Sequence, residues 1–328
     1  MSIALLSEIK AIHITSLFSM KILRFVRYNI YFFYENRKAI LQPRYSRMKV
    51  IPYEAIVNAV RELCLKACYV LPADIYTALE NASRKEPSAL GRSILEQCIT
   101  NADIAVSEHL PICQDTGTAV FFVKIGDEVR VDGGLITDAI QEGTKRGYKD
   151  GYLRKSIVND PLFDRRNTSD NTPASISIDI VKGDTLSITI LPKGGGCENM
   201  SGLVMLKPAD GKEAIIDFAV NTIKRAGGNP CPPTIIGIGI GGTADKASLL
   251  AKKALLRPVG SVHTDSRYAA LEQEILARVN STGVGPQGLG GATTALAVHI
   301  EYFPCHIASL PVAINLNCHA ARSASIEL

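Results

Sequence analysis

The sequence predicts a mixed α/β (α+β) fold, with mixed sheets flanked by helices, on three observations. Apolar residues recur at helical spacing through residues 52–82 and again through 87–106. The period drops to two in TPASISIDIV (172–181) and DTLSITILPK (184–193), as in half-buried strands. PPTIIGIGIGGTADKASLLAKKALL (232–256) reads as strand, glycine turn and helix.

In chain order, residues 52–82 predict two helices divided at Leu71-Pro72, because proline cannot continue a helix. Residues 87–106 predict a third. The apolar run AVFFVKIG (119–126) follows as a strand, and 133–148 as a helix. The two alternating segments are expected to pair as an antiparallel hairpin through the turn Lys182-Gly183-Asp184, which precludes a purely parallel sheet. Residues 209–227 and 264–280 predict helices, and ATTALAVHIEYF and IASLPVAINLN close the chain as two strands. Sheet order is not legible, and no internal repeat or linker divides residues 48–328, which are expected to form one catalytic domain.

Charge is uneven. Residues 1–47 hold eight Lys/Arg against two Asp/Glu, whereas the remainder holds 28 against 30. The basic balance therefore belongs to the first 47 residues, and nothing in the body suggests a nucleic-acid surface. Residues 1–47 lack the clean apolar core and small-residue cleavage site of a signal peptide. They are expected to lie outside the fold, since MKVIPYEAIVNAV from Met48 resembles a natural start. A surface helix or a targeting segment are the alternatives. No run of 18 apolar residues predicts a membrane span, and a cytoplasmic location is expected.

Eight cysteines in a body without a secretory signal read as reduced thiols or ligands rather than disulfides. Cys64, Cys68 and Cys98 fall in helical apolar patterns and read as packing. Four polar or glycine-rich clusters flank strands instead: CQDTGT (113–118), KGGGCENMSG (193–202), NPCPPTIIGIGIGG (229–242) and NCHAARS (317–323). Cys231 stands between prolines, which fix the loop and aim the thiol. The wide separation of Cys113, Cys231 and Cys318 excludes zinc-finger and ferredoxin spacings. By itself it is compatible with a thiolate cluster or with no metal.

GIGIGG satisfies the dinucleotide pattern GxGxxG, but residues 252–263 contain no acidic residue for a ribose. His109 and His299, beside or within apolar runs, read as structural, and His263 as a surface residue. His306 alone reads as a loop histidine.

Together LPICQDTGT, YLRKSIV, LPKGGGCENMS, CPPTIIGIGIGGT, GVGPQGLGGATTA and PCHIASLPVAINLNCHAAR resemble the class I iron–sulfur-dependent hydro-lyases, the oxygen-sensitive fumarases and L(+)-tartrate dehydratases. The resemblance covers about residues 48–328, with six motifs in the same order, and leaves residues 1–47 untouched. It implies a [4Fe–4S] cluster held by Cys113, Cys231 and Cys318, with one iron open as a Lewis acid and sensitive to oxygen. It implies substrate contacts from Gln114, Asp115, Arg154, Gly195 and Gly196. Asp115 would move a proton near the leaving hydroxyl, and His306 would serve a neighbouring protomer's site. Cys197 stands where serine is expected and reads as a conservative replacement rather than a fourth ligand.

Single-chain members continue into a domain supplying further arginines, a lysine and a threonine base. The resemblance therefore implies an α subunit that a β subunit completes, in an α–β heterotetramer, acting on a small dicarboxylic acid. The leading expectation is (S)-malate and fumarate, with L(+)-tartrate as its rival. From other classes, a nucleotide-binding oxidoreductase using GIGIGG and an interaction protein with a decayed site stand as alternatives. The intact Cys, Asp, Arg and Gly set argues against the last.

Overall fold

The computed structural model describes residues 48–328, so the expectations for residues 1–47 fall outside the described residues. The mixed α/β expectation holds. Strand β1 (Lys49–Pro52) leads into helices α1 (Tyr53–Tyr69), α2 (Ala73–Lys85) and α3 (Ala89–Ser107). Pro72 separates α1 from α2, and the Ser88 hydroxyl caps α3 by accepting from the Gly91 amide at 3.1 Å. Then come β2 (Thr118–Gly126), β3 (Val129–Asp132), α4 (Ile136–Asp150), β4 (Ser175–Val181), β5 (Leu186–Lys193) and a one-turn helix α5 (Gly195–Glu198). The chain continues through β6 (Gly202–Leu206), α6 (Gly211–Ala226), β7 (Thr234–Gly241), α7 (Ala244–Ala254), α8 (Ser266–Asn280), β8 (Ala295–Phe303), β9 (Leu310–Asn317) and β10 (Ala324–Glu327).

Two four-stranded mixed sheets carry the fold, in the orders β10-β5-β2-β4 and β6-β9-β7-β8, beside a small parallel pair β1-β3. The expected hairpin is not formed. β4 and β5 are both strands, but β2 lies between them, parallel to β4 and antiparallel to β5. The reason is burial. Ala119–Val123 of β2 are buried without interruption and require a neighbour on each side, whereas β4 is largely exposed and suits an edge. The turn at Lys182–Asp184 folds over the end of β2 instead, where the Glu128 amide donates to Gly183 O at 2.9 Å and the Gly183 amide to Asp127 Oδ1 at 3.0 Å.

The glycines of GIGIGG serve packing rather than phosphate. Gly237 and Gly239 lie inside buried β7, not at its turn. A Cβ at either would stand 2.1 and 2.0 Å from the carbonyl oxygens of Ala251 and Ala247 on α7, so glycine lets helix and strand touch. This removes the basis for the dinucleotide alternative.

One core packs α1 and α4 on the first sheet, with Phe121, Ile188 and Ile190 fully buried. Another packs α6 and α8 on the second through Ile216, Ile223, Ile236 and Ile300. Each such side chain contributes about 1.5–3 kcal/mol. A third cluster, including Leu79, Leu95, Phe122, Leu191 and Ile235, joins the sheets. Cys64, Cys68 and Cys98 are buried as expected, whereas His109 is exposed just past α3 at φ +53°. The helix has ended there, so its side chain leaves the apolar face.

His299 on β8 is buried and its Nδ1 has no partner among the described residues. Burial, then the Arg257 charge, hold its pKa at about 4, against Glu272, the Ala254 backbone and Asp74. The depressed native pKa means that the unfolded chain binds the extra proton first. The stability contribution is complete above the ordinary pKa near 6.5 and is lost as pH falls through about 4. Urea unfolding should show a loss approaching about 3 kcal/mol across this window. His299→Phe should flatten that limb relative to the parent; an unchanged limb would refute the assignment.

Candidate active site

Register brings the polar loops together. In the first sheet Thr118 pairs with Lys193, so the loop entering β2 (113–117) and the loop leaving β5 (194–199) share one end. In the second sheet Ile235 pairs with Asn317, so the loop entering β7 (229–233) and the loop leaving β9 (318–323) do likewise. Residues 318–323 then cross to the first sheet, where β10 pairs with β5. The crossing joins both loop pairs.

Specific contacts hold this junction. Asp115 accepts at both carboxylate oxygens, Oδ1 from the Gly117 amide at 3.0 Å and Oδ2 from the Gly195 amide at 2.8 Å. The Arg322 guanidinium donates through Nη2 to Asp115 O at 2.7 Å. The Thr116 hydroxyl donates to Arg154 O at 3.0 Å, tying the Arg154 segment to the same loop. Tyr148 OH donates to the carbonyls of Thr116 and Gly117 at 2.9 and 3.1 Å. The Arg154 and Gln114 side chains are exposed, and the Cys113 thiol lies 3.4 Å from Gln114 Oε1.

Cys231 is exposed and adopts φ +50°, a left-handed conformation that costs a non-glycine residue energy and that the flanking prolines help hold. Cys113 and Cys318 are half-buried on the cluster joining the sheets. The His319 amide donates to Cys231 O at 3.3 Å, linking the second and third thiol loops. His319 Nδ1 lies 3.0 Å from Gln287 Nε2, and Gln287 donates through its backbone amide to Pro232 O at 2.8 Å. The glycine-rich loop carrying Gln287 is in turn pinned by buried Glu86, whose carboxylate accepts from the amides of Ala292 and Thr293. Partial desolvation, then the neighbouring Cys318, Cys113 and Cys98, push the Cys231 thiol up.

Cys197 is buried on α5, where its thiol donates to Pro230 O at 3.5 Å. The neighbouring Cys318, then burial, push Cys197 up, whereas Cys318 is held below the usual thiol range by Cys197, against burial and with the fields of His319 and Arg322.

One expectation changes. The Gly195 amide is already engaged by Asp115, which caps the first turn of α5, so Gly195 does not present it freely to a substrate; Gly196 beside it is exposed. His306 is exposed in the turn from β8 to β9, at the far end of the second sheet from Cys231 and Cys318. The eight-residue strand between places it roughly 25 Å away at ~3.3 Å per residue. His306 therefore does not enter its own chain's loop cluster. The loops gather at one sheet end. A cleft of about 450 Å³ opens between β4 and β6, lined by Ser175, Ser177, Glu198, Lys252 and Asn315.

Two buried cations were not singled out from sequence. Lys193 Nζ donates to Leu316 O and, at 3.2 Å, to Asn317 Oδ1, bridging the two sheets, with Glu198 Oε2 at 3.8 Å. Burial lowers its pKa. Arg322 is 4% exposed, and its Nε and Nη1 have no hydrogen-bond partner among the described residues. Both lie within motifs, LPKGGGC and NCHAARS; a charge flanked by small residues at a strand end was the available signal.

Among the described residues no three His, Cys, Asp or Glu side chains converge as on a single metal ion. An iron–sulfur cluster makes a different demand, since each thiolate meets its own iron and the sulfurs stand around a shared space. Three thiols on three loops that meet where the two sheets join, near a buried guanidinium unpaired among the described residues, fit that demand.

A family model described as fumarate hydratase (Fumerase) matches residues 57–327. A Methanocaldococcus jannaschii protein named "Putative L(+)-tartrate dehydratase subunit alpha" is 46% identical over 274 residues, covering 82% of this chain and 96% of that protein. The L(+)-tartrate dehydratase subunit alpha of Escherichia coli K12 is 33% identical over 263 residues, covering 78% and 85%. The Shigella sonnei protein of the same name matches equally.

Proposed function

The chain belongs to the fumarate hydratase family of hydro-lyases, and from that premise we propose that it is the α subunit of a [4Fe–4S]-dependent enzyme that reversibly dehydrates (S)-malate to fumarate. The observation that carries this reading is the convergence of the Cys113, Cys231 and Cys318 loops beside the doubly anchored Asp115 carboxylate. The names of the similar α subunits favour a second substrate, L(+)-tartrate, which the same chemistry converts to oxaloacetate. The two acids differ by one hydroxyl, and a few polar contacts separate them.

Cys113, Cys231 and Cys318 would hold the cluster. Held by these three thiolates, it would supply Lewis-acid chemistry for the substrate's hydroxyl and carboxylate. Asp115 has one amide on each oxygen, which fixes its direction; its remaining lone pairs can accept or return a proton at the hydroxyl. Arg154 offers a planar fork for a substrate carboxylate, tied to the Asp115 loop through its own carbonyl. Gln114, next to Cys113, orients the substrate by its amide, with Gly196 at the exposed start of α5. His306 acts from a neighbouring protomer, which reconciles its distance with a role.

A β subunit supplies the rest of the site, as the subunit names of the relatives suggest, in an α–β heterotetramer. The test is anaerobic assay of the isolated chain and of the chain co-expressed with its β partner, on both acids. Turnover is expected only from the pair, and the ratio of rates on malate and L(+)-tartrate assigns the substrate. Full turnover by the isolated chain would refute the two-subunit site, and no turnover of either acid by the loaded pair would refute the function.

A further inference from the structure

Arg322 lies on the crossing between the sheets, four residues past Cys318, and is buried almost completely. It spends one N–H on Asp115 O, while Nε and Nη1 are sealed from solvent without a partner among the described residues. No carboxylate among the described residues forms an ion pair with it. The groups whose fields act on it are chiefly Cys68, Cys318 and Cys113, with Tyr148 beyond them. Cys68 and Tyr148 are themselves buried and neutral. Burying a guanidinium without a counter-charge is strongly unfavourable, by several kcal/mol. Among the described groups whose fields act on it, that leaves the two thiols expected to bind iron to supply the charge.

Resting on the iron–sulfur reading above, we propose that Arg322 is a positioning residue for the cluster: a fixed buried counter-charge that neutralises the three-thiolate assembly and sets how readily it accepts an electron. Three thiolates and a 2+ core sum to one negative charge. One-electron reduction adds a second, and a neighbouring cation favours that product. Its bond to Asp115 O couples the same side chain to the loop carrying the first thiol, so charge and loop placement share one residue.

The test uses the full chain, reconstituted anaerobically with iron and sulfide, with circular dichroism, iron content and a dithionite redox titration as readouts. Arg322→Met and Arg322→Gln should fold and load iron. Their reduction equilibrium should fall about tenfold, equivalent to about 59 mV for a one-electron couple. Arg322→Lys, which keeps the charge, should recover most of the parental midpoint. Loaded Met and Gln variants with the parental midpoint would overturn the proposal while leaving the cluster reading intact. So would Lys and Met variants that lose iron equally, because shape rather than charge would then be the requirement. Should neither neutral variant fold, the Lys variant decides, a parental midpoint supporting the proposal and a tenfold shift overturning it. A parent chain that takes up no iron would overturn the cluster reading and this inference with it.

Discussion

Cys231→Ala should yield a folded chain that no longer holds iron. Full loading is expected at about four irons per chain, with broad visible absorption, and the variant should lose both. The side chain is exposed, in a turn held by the Cys231 amide donating to Gly228 O at 3.0 Å, so its removal takes no packing from a core. With two thiolates left, the Lewis acid is lost. That contribution is several kcal/mol, so turnover by the αβ pair should fall by at least about 10³-fold. Two controls separate a ligand from a merely present thiol. Cys305→Ala, exposed beside His306 at the far end of the second sheet, should change nothing. Cys197→Ser should keep its iron, because the Cys197 thiol donates to Pro230 O at 3.5 Å and serine can donate in the same place. Loss of iron from the serine variant would instead identify Cys197 as a ligand and close the open iron.

Local elements were legible because period and punctuation are local. Leu71-Pro72 divides two helices, and PPTIIGIGIGG…ALL is a strand followed by a helix. Sheet order was not, because pairing is decided by burial across distant segments. TPASISIDIV and DTLSITILPK carry the right period and a good turn, yet the more apolar β2 takes the place between them. Short strands such as β6 and β10, four or five residues long, carry too few repeats to show a period. The candidate site divides the same way. Its thiols stand in conspicuous loops, so Cys113, Cys231 and Cys318 could be singled out, and the register of β2 with β5 and of β7 with β9 explains how they meet. Lys193 and Arg322 could not, because a charge is ordinarily a surface residue and only the fold reveals that both are sealed. GIGIGG shows the converse: a sequence pattern for phosphate binding that the structure uses to bring a helix against a strand.

Asp115→Asn in the co-expressed αβ pair should lower kcat by about 10²–10⁴-fold while leaving iron content and KM close to the parent. The carboxylate sits between two amide donors, Gly117 and Gly195, both pointing at oxygen. A carboxamide keeps one acceptor and turns its NH2 toward the other donor, so one anchor is lost along with the charge. A purely structural Asp115 would show this as lower stability and iron loss, with kcat falling only in proportion to the unloaded fraction. An Asp115 that carries the proton would show it as a fall in kcat per iron, with the pH–rate profile losing a limb. Asp115→Glu separates the two further, since it restores the charge but displaces both anchors. Recovery of kcat per iron above the Asn variant would place the requirement on proton transfer, and equal loss in both would place it on the geometry of the loop that Gly117 and Gly195 hold.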